Sequence, residues 1–207
     1  MLEISVSGQS RTDLGKKASK LLRKEGLIPC NIYGIEKGEN GLPVAKSFVV
    51  PFSEIRKVVY TPNVYVVNIN IDGVEKKAVI KELQFHPVSD ALLHVDFLEI
   101  TAEKPVTVGI PVKLVGHAAG VRNGGRLALA VRQLKVTASY LNIPEILEID
   151  VTPLEIGKSI KVGELHFEGL EFATSKEVVV CSVQMTRQAR AAAQAANFIS
   201  PVDGIKR

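Results

Sequence analysis

This 207-residue sequence has little cysteine, no long apolar run and no large excess of either charge. Its two cysteines, Cys30 and Cys181, are too few and too far apart in sequence for a disulfide framework or a zinc site. No apolar run approaches the roughly 18 residues of a membrane-spanning helix, and the first residues lack the charged-then-apolar pattern of a signal peptide. We therefore expect a cytoplasmic protein with no membrane partner.

The net charge of +4 is small, but the basic residues are unevenly distributed. Residues 1–100 contain 13 basic and 12 acidic side chains, residues 101–186 contain nine of each, and the last 21 residues contain four and one. A dense basic cluster near the start of the chain is thus a local feature of a nearly neutral region. That cluster indicates a polyanionic partner more clearly than the net charge does.

Residues 1–100 predict a small β-barrel with two short helices at its rim. Leu2, Ile4 and Val6 alternate with polar residues, which is typical of a half-buried strand. The pair Asp72-Gly73 is a strong hairpin signal between two such alternating runs. The predicted strands are 2–6, 27–33, 44–52, 64–71, 74–83 and 92–100, and the predicted helices are 16–25 and 53–59.

Residues 101–105 form the predicted junction to a second domain. From there to residue 185 the sequence predicts an all-β domain without helices, with strands at 106–115, 134–140, 148–151, 159–162 and 177–185. Residues 186–207 are alanine-rich and helix-prone but have no apolar stripe to bury, so we expect a helical or disordered tail. The overall fold class is mainly β with short helices.

The predicted helix 16–25 is the most basic segment of the chain, and Gly26 is well placed to end it in the left-handed conformation. On a helical projection Lys16, Lys20 and Arg23 share one face, while Leu21 and Leu22 lie on the opposite face and are expected to pack on a sheet. A solvated amphipathic helix explains this pattern. The alternative is that the basic face binds nucleic acid phosphates and releases their counterions.

His94 and Asp96 are two residues apart in a predicted strand, so both point to the same face. A satisfied His–Asp pair at a sheet edge is the simplest interpretation. A metal site needs more ligands than the neighbouring His86 supplies, and a catalytic triad lacks its Gly-x-Ser-x-Gly elbow. The remaining interpretation is polar contact to RNA, in which Gln84, His94 and Asp96 contact base edges or ribose hydroxyls. We expect no metal and no cofactor.

Two further segments leave their interpretation open. Tyr33 ends the second predicted strand, where core packing and contact with RNA are equally compatible with the sequence. Residues 117–126 resemble a phosphate loop at first, but they lack the Gly-x-x-x-x-Gly-Lys-Ser/Thr pattern, and Asn123-Gly124 is better explained as a turn.

The spacing of these motifs resembles the long form of bacterial large-subunit ribosomal protein twenty-five, the general stress protein CTC family. The first matching block runs from Arg11-x3-Gly15-Lys16 through Leu22-Arg23-x2-Gly26-x2-Pro29 to Tyr33-Gly34, and the others are Gln84-x2-Pro87-Val88 and His94-Val95-Asp96-Phe97. In the second domain the matching blocks are Ile110-Pro111-Val112, Gly124-Gly125, Ile143-Pro144-Glu145 and Ile149-Asp150-Val151. The resemblance covers about residues 1–185.

This resemblance implies a ribosome-associated protein of the large subunit that is not an enzyme, has no small-molecule substrate and binds 5S ribosomal RNA through residues 1–100. The RNA-binding residues implied by matching position are Arg11, Lys16, Ser19, Lys20, Arg23, Tyr33, Lys81, Gln84, His94 and Asp96. The alternative is a stress-related β-domain protein that acts mainly through protein partners. A hydrolase built on His94 and Asp96 is a remote third interpretation.

Overall fold

A computed structural model describes residues 1–36, 41, 44–187 and 190 of the chain. The described residues form thirteen strands and three short α-helices. The strands are β1 (Leu2–Ser10), β2 (Leu27–Tyr33), β3 (Lys46–Pro51), β4 (Tyr65–Ile71), β5 (Val74–Phe85), β6 (Leu92–Glu99), β7 (Val106–Val115), β8 (Gly125–Leu129), β9 (Gln133–Ala138), β10 (Leu147–Asp150), β11 (Ser159–Lys161), β12 (Glu171–Phe172) and β13 (Val179–Met185). The helices are α1 (Lys16–Lys24), α2 (Phe52–Val59) and α3 (Ala119–Arg122), and a 3-10 turn covers Val162–Glu164.

The first six strands close into a barrel in the order β1-β3-β2-β6-β5-β4, which confirms the predicted barrel. β1 pairs in parallel with β4, β2 pairs in parallel with β6, and the remaining pairs are antiparallel. Alternation along each strand directs one set of side chains into the barrel. Phe48 and Phe97 are fully buried there with ring centroids 5.9 Å apart. The barrel therefore has a continuous apolar core.

The predicted hairpin between β4 and β5 is confirmed. Asp72 and Gly73 both have positive φ, 51° and 89°, which is the backbone that a tight two-residue hairpin turn requires. The Gly73 amide also donates to the Asn70 side-chain oxygen at 2.9 Å. The turn sequence therefore fixes the register of this hairpin.

The second half of the chain forms a four-stranded sheet in the order β10-β7-β9-β12 and a three-stranded sheet in the order β11-β13-β8. The sequence predicted no helix here, and this expectation is wrong, because Ala119–Arg122 forms α3. Strands β8 and β12 were also missed. Of the predicted tail 186–207, all but residues 186, 187 and 190 lie outside the described part of the chain.

The chain divides into two compact units. The first contains Met1–Ile110, Val136–Glu145 and Gly169–Glu171, and the second contains Pro111–Lys135, Ile146–Glu168 and the described residues from Phe172 onward. No helix in the described ranges is long and apolar enough to cross a membrane. The predicted domain junction at 101–105 stays a prediction.

Candidate nucleic-acid interface

The outer face of β2, β6 and β5 brings together several of the predicted site residues. In β6, Val95 and Phe97 are buried in the barrel. His94 and Asp96 alternate with them along the strand and therefore point outward. Gln84 of β5 lies directly opposite His94, so their side chains are neighbours on this face. We call this surface, built on His94, Asp96 and Gln84, the polar face.

A β-bulge in β5 is what directs Gln84 outward. The register passes from Ile80 opposite Phe97 to Glu82 opposite Asp96, so Lys81 is the extra residue. Without that extra residue the alternation would turn Gln84 to the inside. The bulge leaves Lys81 exposed at the margin of the polar face, and Leu83 packs against the core.

His94 and Asp96 form a close pair. Their Nδ1 and Oδ1 atoms are 3.3 Å apart, and the two side chains are only 16% and 22% exposed. Burial lowers the pKa of His94 below its ordinary value, opposed by the charge of Asp96. The imidazole is therefore neutral at neutral pH, and Asp96 retains lone pairs that can accept hydrogen bonds from a ligand.

Arg11 and Arg23 lie close enough to the polar face to influence it electrostatically. Both charges lower the pKa of His94 further, after the larger effects of burial and Asp96. Arg23 is half-buried, and its Nε donates to the Leu93 carbonyl oxygen at 3.0 Å. This bond fixes the guanidinium beside β6 and leaves its terminal nitrogens without a hydrogen bond among the described residues.

Arg11 is held in a similar way. Its Nη1 donates to the Ser19 hydroxyl oxygen at 3.3 Å, and its backbone amide donates to the Ser47 carbonyl oxygen at 3.1 Å. Within the described residues its buried Nε has no hydrogen-bond partner. A buried donor without a partner costs free energy, so the position of Arg11 depends on its other two hydrogen bonds.

Tyr33 also belongs to this surface. It is half-buried on β2, and burial followed by the charges of Asp96 and Glu82 raises the pKa of its hydroxyl. Asp96 therefore lies near Tyr33 as well as near His94. The structure thus brings Arg11, Ser19, Arg23, Tyr33, Gln84, His94 and Asp96 together on or beside one face of the barrel.

The packing of α1 differs from the prediction. Ala18, Ser19, Leu22 and Arg23 are the half-buried residues, whereas Leu21 is 58% exposed. The helix is therefore rotated from the expected orientation, so that Leu21 joins the solvent side and Arg23 leaves it. The exposed side of α1, which we call the lysine face, consists of Lys16, Lys17, Lys20, Leu21 and Lys24.

The turns at both ends of α1 set where it lies. Gly15 has a φ of 122° and Gly26 a φ of 79°, backbone angles that residues other than glycine rarely adopt. The helix ends as predicted, with the Gly26 amide bonded to the Arg23 carbonyl oxygen at 3.3 Å. Lys24 lies in the last turn, where the helix dipole favours a cation.

Sequence reasoning missed two residues of this surface, Asn31 and Glu82. Asn31 lies opposite Asp96, and its side-chain oxygen accepts from the Ser47 hydroxyl at 2.9 Å. Its position two residues before Tyr33 in a strand could have revealed it, because both point to the same face. Glu82 could not be found in this way, because its orientation depends on the bulge.

The polar face does not form a metal centre in the described ranges, where no group of three or more His, Cys, Asp and Glu side chains could hold an ion. Cys30 is buried on the other side of β2, and burial strongly raises the pKa of its thiol. The thiol is thus protonated and unreactive at neutral pH. What the face offers is directional donors and acceptors flanked by fixed positive charge.

Comparisons with known proteins match both halves of the chain. Residues 6–97 match the Ribosomal L25p family, and residues 105–187 match the C-terminal domain of ribosomal protein TL5. A protein of Phocaeicola vulgatus described as large ribosomal subunit protein bL25 is 55% identical over 196 residues, which cover 95% of this chain and 99% of the relative. Proteins with the same description from Porphyromonas gingivalis and Bacteroides thetaiotaomicron are 48% and 47% identical, covering 93% and 95% of this chain and 98% and 99% of the relatives.

These matches extend over nearly the whole sequence, and identities of 47%, 48% and 55% show that the proteins are homologous. They bear out the resemblance carried by the motifs around Arg11, Gln84 and His94. Members of this family are structural ribosomal proteins and not enzymes. The chain belongs to the ribosomal L25p family.

Proposed function

We propose that this protein is a structural component of the large ribosomal subunit that binds 5S ribosomal RNA through α1 and the polar face. The relatives' description as large-subunit proteins supports the assembly. The observation that carries the RNA contact is the convergence of Arg11, Arg23, His94 and Asp96 beside a helix with four exposed lysines. Such a protein works in the cytoplasm, on the ribosome.

The lysine face supplies affinity. Lys16, Lys17, Lys20 and Lys24 have exposed ammonium groups on one short helix, and no carboxylate is paired with them in the described ranges. Each lysine that neutralises a phosphate releases counterions and strengthens binding to any RNA duplex. These contacts bring the helix to the RNA backbone but do not distinguish one sequence from another.

The polar face supplies recognition. Asp96 accepts from a base amino group or a ribose hydroxyl, and Gln84 and Tyr33 can each donate and accept. In an A-form helix those groups are presented in the wide, shallow minor groove, which a protein face can approach. Arg11 and Arg23 contact the phosphates that flank this groove and fix the orientation of the barrel on the RNA.

Lys81 has a separate role in this proposal. It projects from the bulge in β5, exposed and without an ion pair in the described part of the chain. From there it contacts the RNA backbone at the margin of the polar face. All of these proposed contacts come from residues 1–100, which we propose to be the RNA-binding part of the chain.

A gel-shift titration of the full-length chain with 5S ribosomal RNA tests this function. We expect a discrete complex that survives about a hundredfold excess of transfer RNA, because specific complexes are typically at least about 10³-fold tighter than nonspecific ones. Transfer RNA is a suitable competitor, since it is also folded and carries the same charge per nucleotide. If transfer RNA displaces the complex at an equal concentration, the binding is only electrostatic and the proposed function is wrong.

A further inference from the structure

A cavity of about 590 Å³ opens on the second unit beside the loop between β7 and β8. This is the segment whose sequence resembles a phosphate loop without matching one. Its lining combines groups of two kinds, cationic or titratable side chains and apolar ones. The first kind consists of His117, Arg122 and Arg126, and the second of Ala118, Val121 and Leu127.

The loop that forms this cavity is fixed to the core of the second unit. The Ala119 and Gly120 amides donate to the carbonyl oxygens of Thr152 and Leu154 at 3.2 and 2.9 Å. Ala118 is only 2% exposed and packs in a cluster with Val183. The cavity is therefore held in shape by backbone hydrogen bonds and core packing, which lowers the entropy cost of binding.

Glycine is required at the base of the loop for the same reason. A Cβ atom at Gly125 would lie 2.6 Å from Val183 Cγ1, and one at Gly120 would lie 2.6 Å from the Ile156 amide nitrogen. Only the absence of side chains at these two positions lets the loop approach the core so closely. The cavity wall therefore depends on the Gly120 and Gly125 contacts.

In the described part of the chain no carboxylate pairs with the two arginines of the lining. Within the described residues neither Arg122 nor Arg126 has an ion pair or a side-chain hydrogen bond, and both are exposed. The Asp150 carboxylate approaches the rim at Gly116. It already accepts from the Thr152 amide and hydroxyl, at 2.9 and 2.5 Å. Among the described residues the cavity lining contains no carboxylate, so it favours an anionic ligand.

Size and lining together narrow the ligand class. Inorganic phosphate would leave most of a 590 Å³ cavity unfilled and would ignore its apolar wall, whereas ligand sites of about 300–1,000 Å³ suit molecules of nucleotide size. Arginine recognises phosphate with two parallel hydrogen bonds, and a base flipped out of its stack packs between aromatic or apolar side chains. We propose that this cavity binds one nucleotide of an RNA strand, with its phosphate at Arg122 and Arg126 and its base against Val121 and Leu127. The site is independent of the polar face of the barrel.

Nuclear magnetic resonance of the full-length, ¹⁵N-labelled chain tests the proposal. The probes are inorganic phosphate, AMP, an unstructured hexaribonucleotide and a hexaglutamate peptide, each titrated at about 0.1 M salt, where RNA contacts are still strong. The amide resonances of Gly116, Gly120 and Gly125 report on the loop, and those of α1 report separately on the barrel. We expect saturable shifts at the loop glycines with AMP and the hexaribonucleotide, and at least about tenfold weaker binding of phosphate.

A double variant and a matched control complete the test. Arg122→Gln combined with Arg126→Gln should weaken nucleotide binding at the loop by at least about tenfold, because two charge-assisted contacts are lost. Arg132→Gln removes an exposed arginine of the same unit that does not line the cavity, and should change binding by less than about twofold.

Four results would overturn the proposal. They are no saturable shift at the loop glycines, an equal response in the double variant, equal affinity for phosphate and AMP, and a stronger response to hexaglutamate than to RNA. The first two remove the site, the third removes the base contact, and the fourth assigns the cavity to an acidic protein segment. Shifts confined to α1 would support the barrel interface while rejecting this cavity.

Discussion

The two sides of α1 present positive charge in different physical states. On the lysine face Lys16, Lys20 and Lys24 are exposed to solvent, and none of them has a side-chain hydrogen bond or ion pair among the described residues. On the opposite side Arg23 is half-buried and bonded to the Leu93 carbonyl oxygen, and Ser19 is bonded to Arg11. One nine-residue helix thus carries both mobile charges and fixed ones.

This difference assigns different parts of binding to the two sides. A mobile lysine must lose side-chain entropy, up to about 2 kcal/mol, to hold one geometry, so it contributes affinity without orientation. A guanidinium already fixed by a hydrogen bond has lost much of that freedom before the RNA arrives, so its remaining donors point in defined directions. The lysine face should therefore control nonspecific affinity, and the fixed side with the polar face should control recognition.

Removing Arg23 should produce the largest effect. Arg23→Ala should weaken 5S ribosomal RNA binding by about 10- to 100-fold, because a placed, charge-assisted contact of about 1.5–3 kcal/mol is lost. Arg23→Lys keeps the charge but cannot reproduce the planar fork held at Leu93. We expect it to recover less than half of the lost binding free energy in fluorescence-anisotropy titrations. Full recovery by lysine would show that Arg23 acts only as a charge.

The two leucines of α1 distinguish its packed side from its exposed side by their effects on the free energy of unfolding. Leu22→Ala should lower the free energy of unfolding by about 1–2 kcal/mol, since a half-buried side chain loses part of its apolar contact. Leu21→Ala, at an exposed position and with similar helix propensity, should change it by less than about 0.5 kcal/mol. Urea unfolding followed by circular dichroism measures both. An effect of Leu21→Ala as large as that of Leu22→Ala would mean that both leucines pack on the sheet, as the sequence predicts.

Changing one lysine of the lysine face should have a smaller and nonselective effect. Lys20→Ala should weaken binding to 5S ribosomal RNA and to a random duplex equally, by less than about tenfold at 0.1 M salt, and lower the salt slope by about 1. Lys57→Ala, an exposed lysine on α2, is the matched control and should leave the slope unchanged. A selective loss on 5S ribosomal RNA alone would place Lys20 with the recognising residues.

The pH dependence of stability should show the smallest effect. Because burial lowers the pKa of His94, the unfolded chain binds a proton there more readily than the folded one. The effect of His94 on the free energy of unfolding is therefore most favourable above the ordinary histidine pKa, and this stability is lost as pH falls below about 6.5. His94→Gln should flatten that part of the pH profile, measured by thermal unfolding between about pH 5 and 8. An unchanged slope in this variant would show that His94 is solvated in the folded protein.

The features predicted from sequence are those with local causes. Asp72-Gly73 fixes its hairpin through backbone preference alone, and Gly26 ends α1 in the left-handed conformation that few other residues adopt. The barrel strands follow from apolar alternation, and the facing of His94 and Asp96 follows from a strand period of two. For these features the neighbouring residues contain all the information needed.

The features missed have causes distant in sequence. The rotation of α1 depends on the Leu93 carbonyl oxygen 70 residues away, which gives Arg23 a partner on the packed side. The bulge at Lys81 depends on pairing with β6 and leaves no mark in the local pattern. Helix α3 is only four residues long, with Gly120 at its centre packed against Ile156, so tertiary contact overrides its weak propensity.

The most direct test of the division between mobile and recognising contacts compares Asp96→Asn with Lys20→Ala on two RNAs across a salt series. Asp96→Asn preserves shape but replaces an acceptor with a donor, so it should cost about 1–3 kcal/mol on 5S ribosomal RNA. It should leave binding to a random duplex and the salt slope nearly unchanged, because Asp96 neutralises no phosphate. Lys20→Ala should show the reverse pattern, with an equal loss on both RNAs. If Asp96→Asn binds 5S ribosomal RNA as the wild type does, the His94–Asp96 pair is structural and the polar face does not recognise RNA.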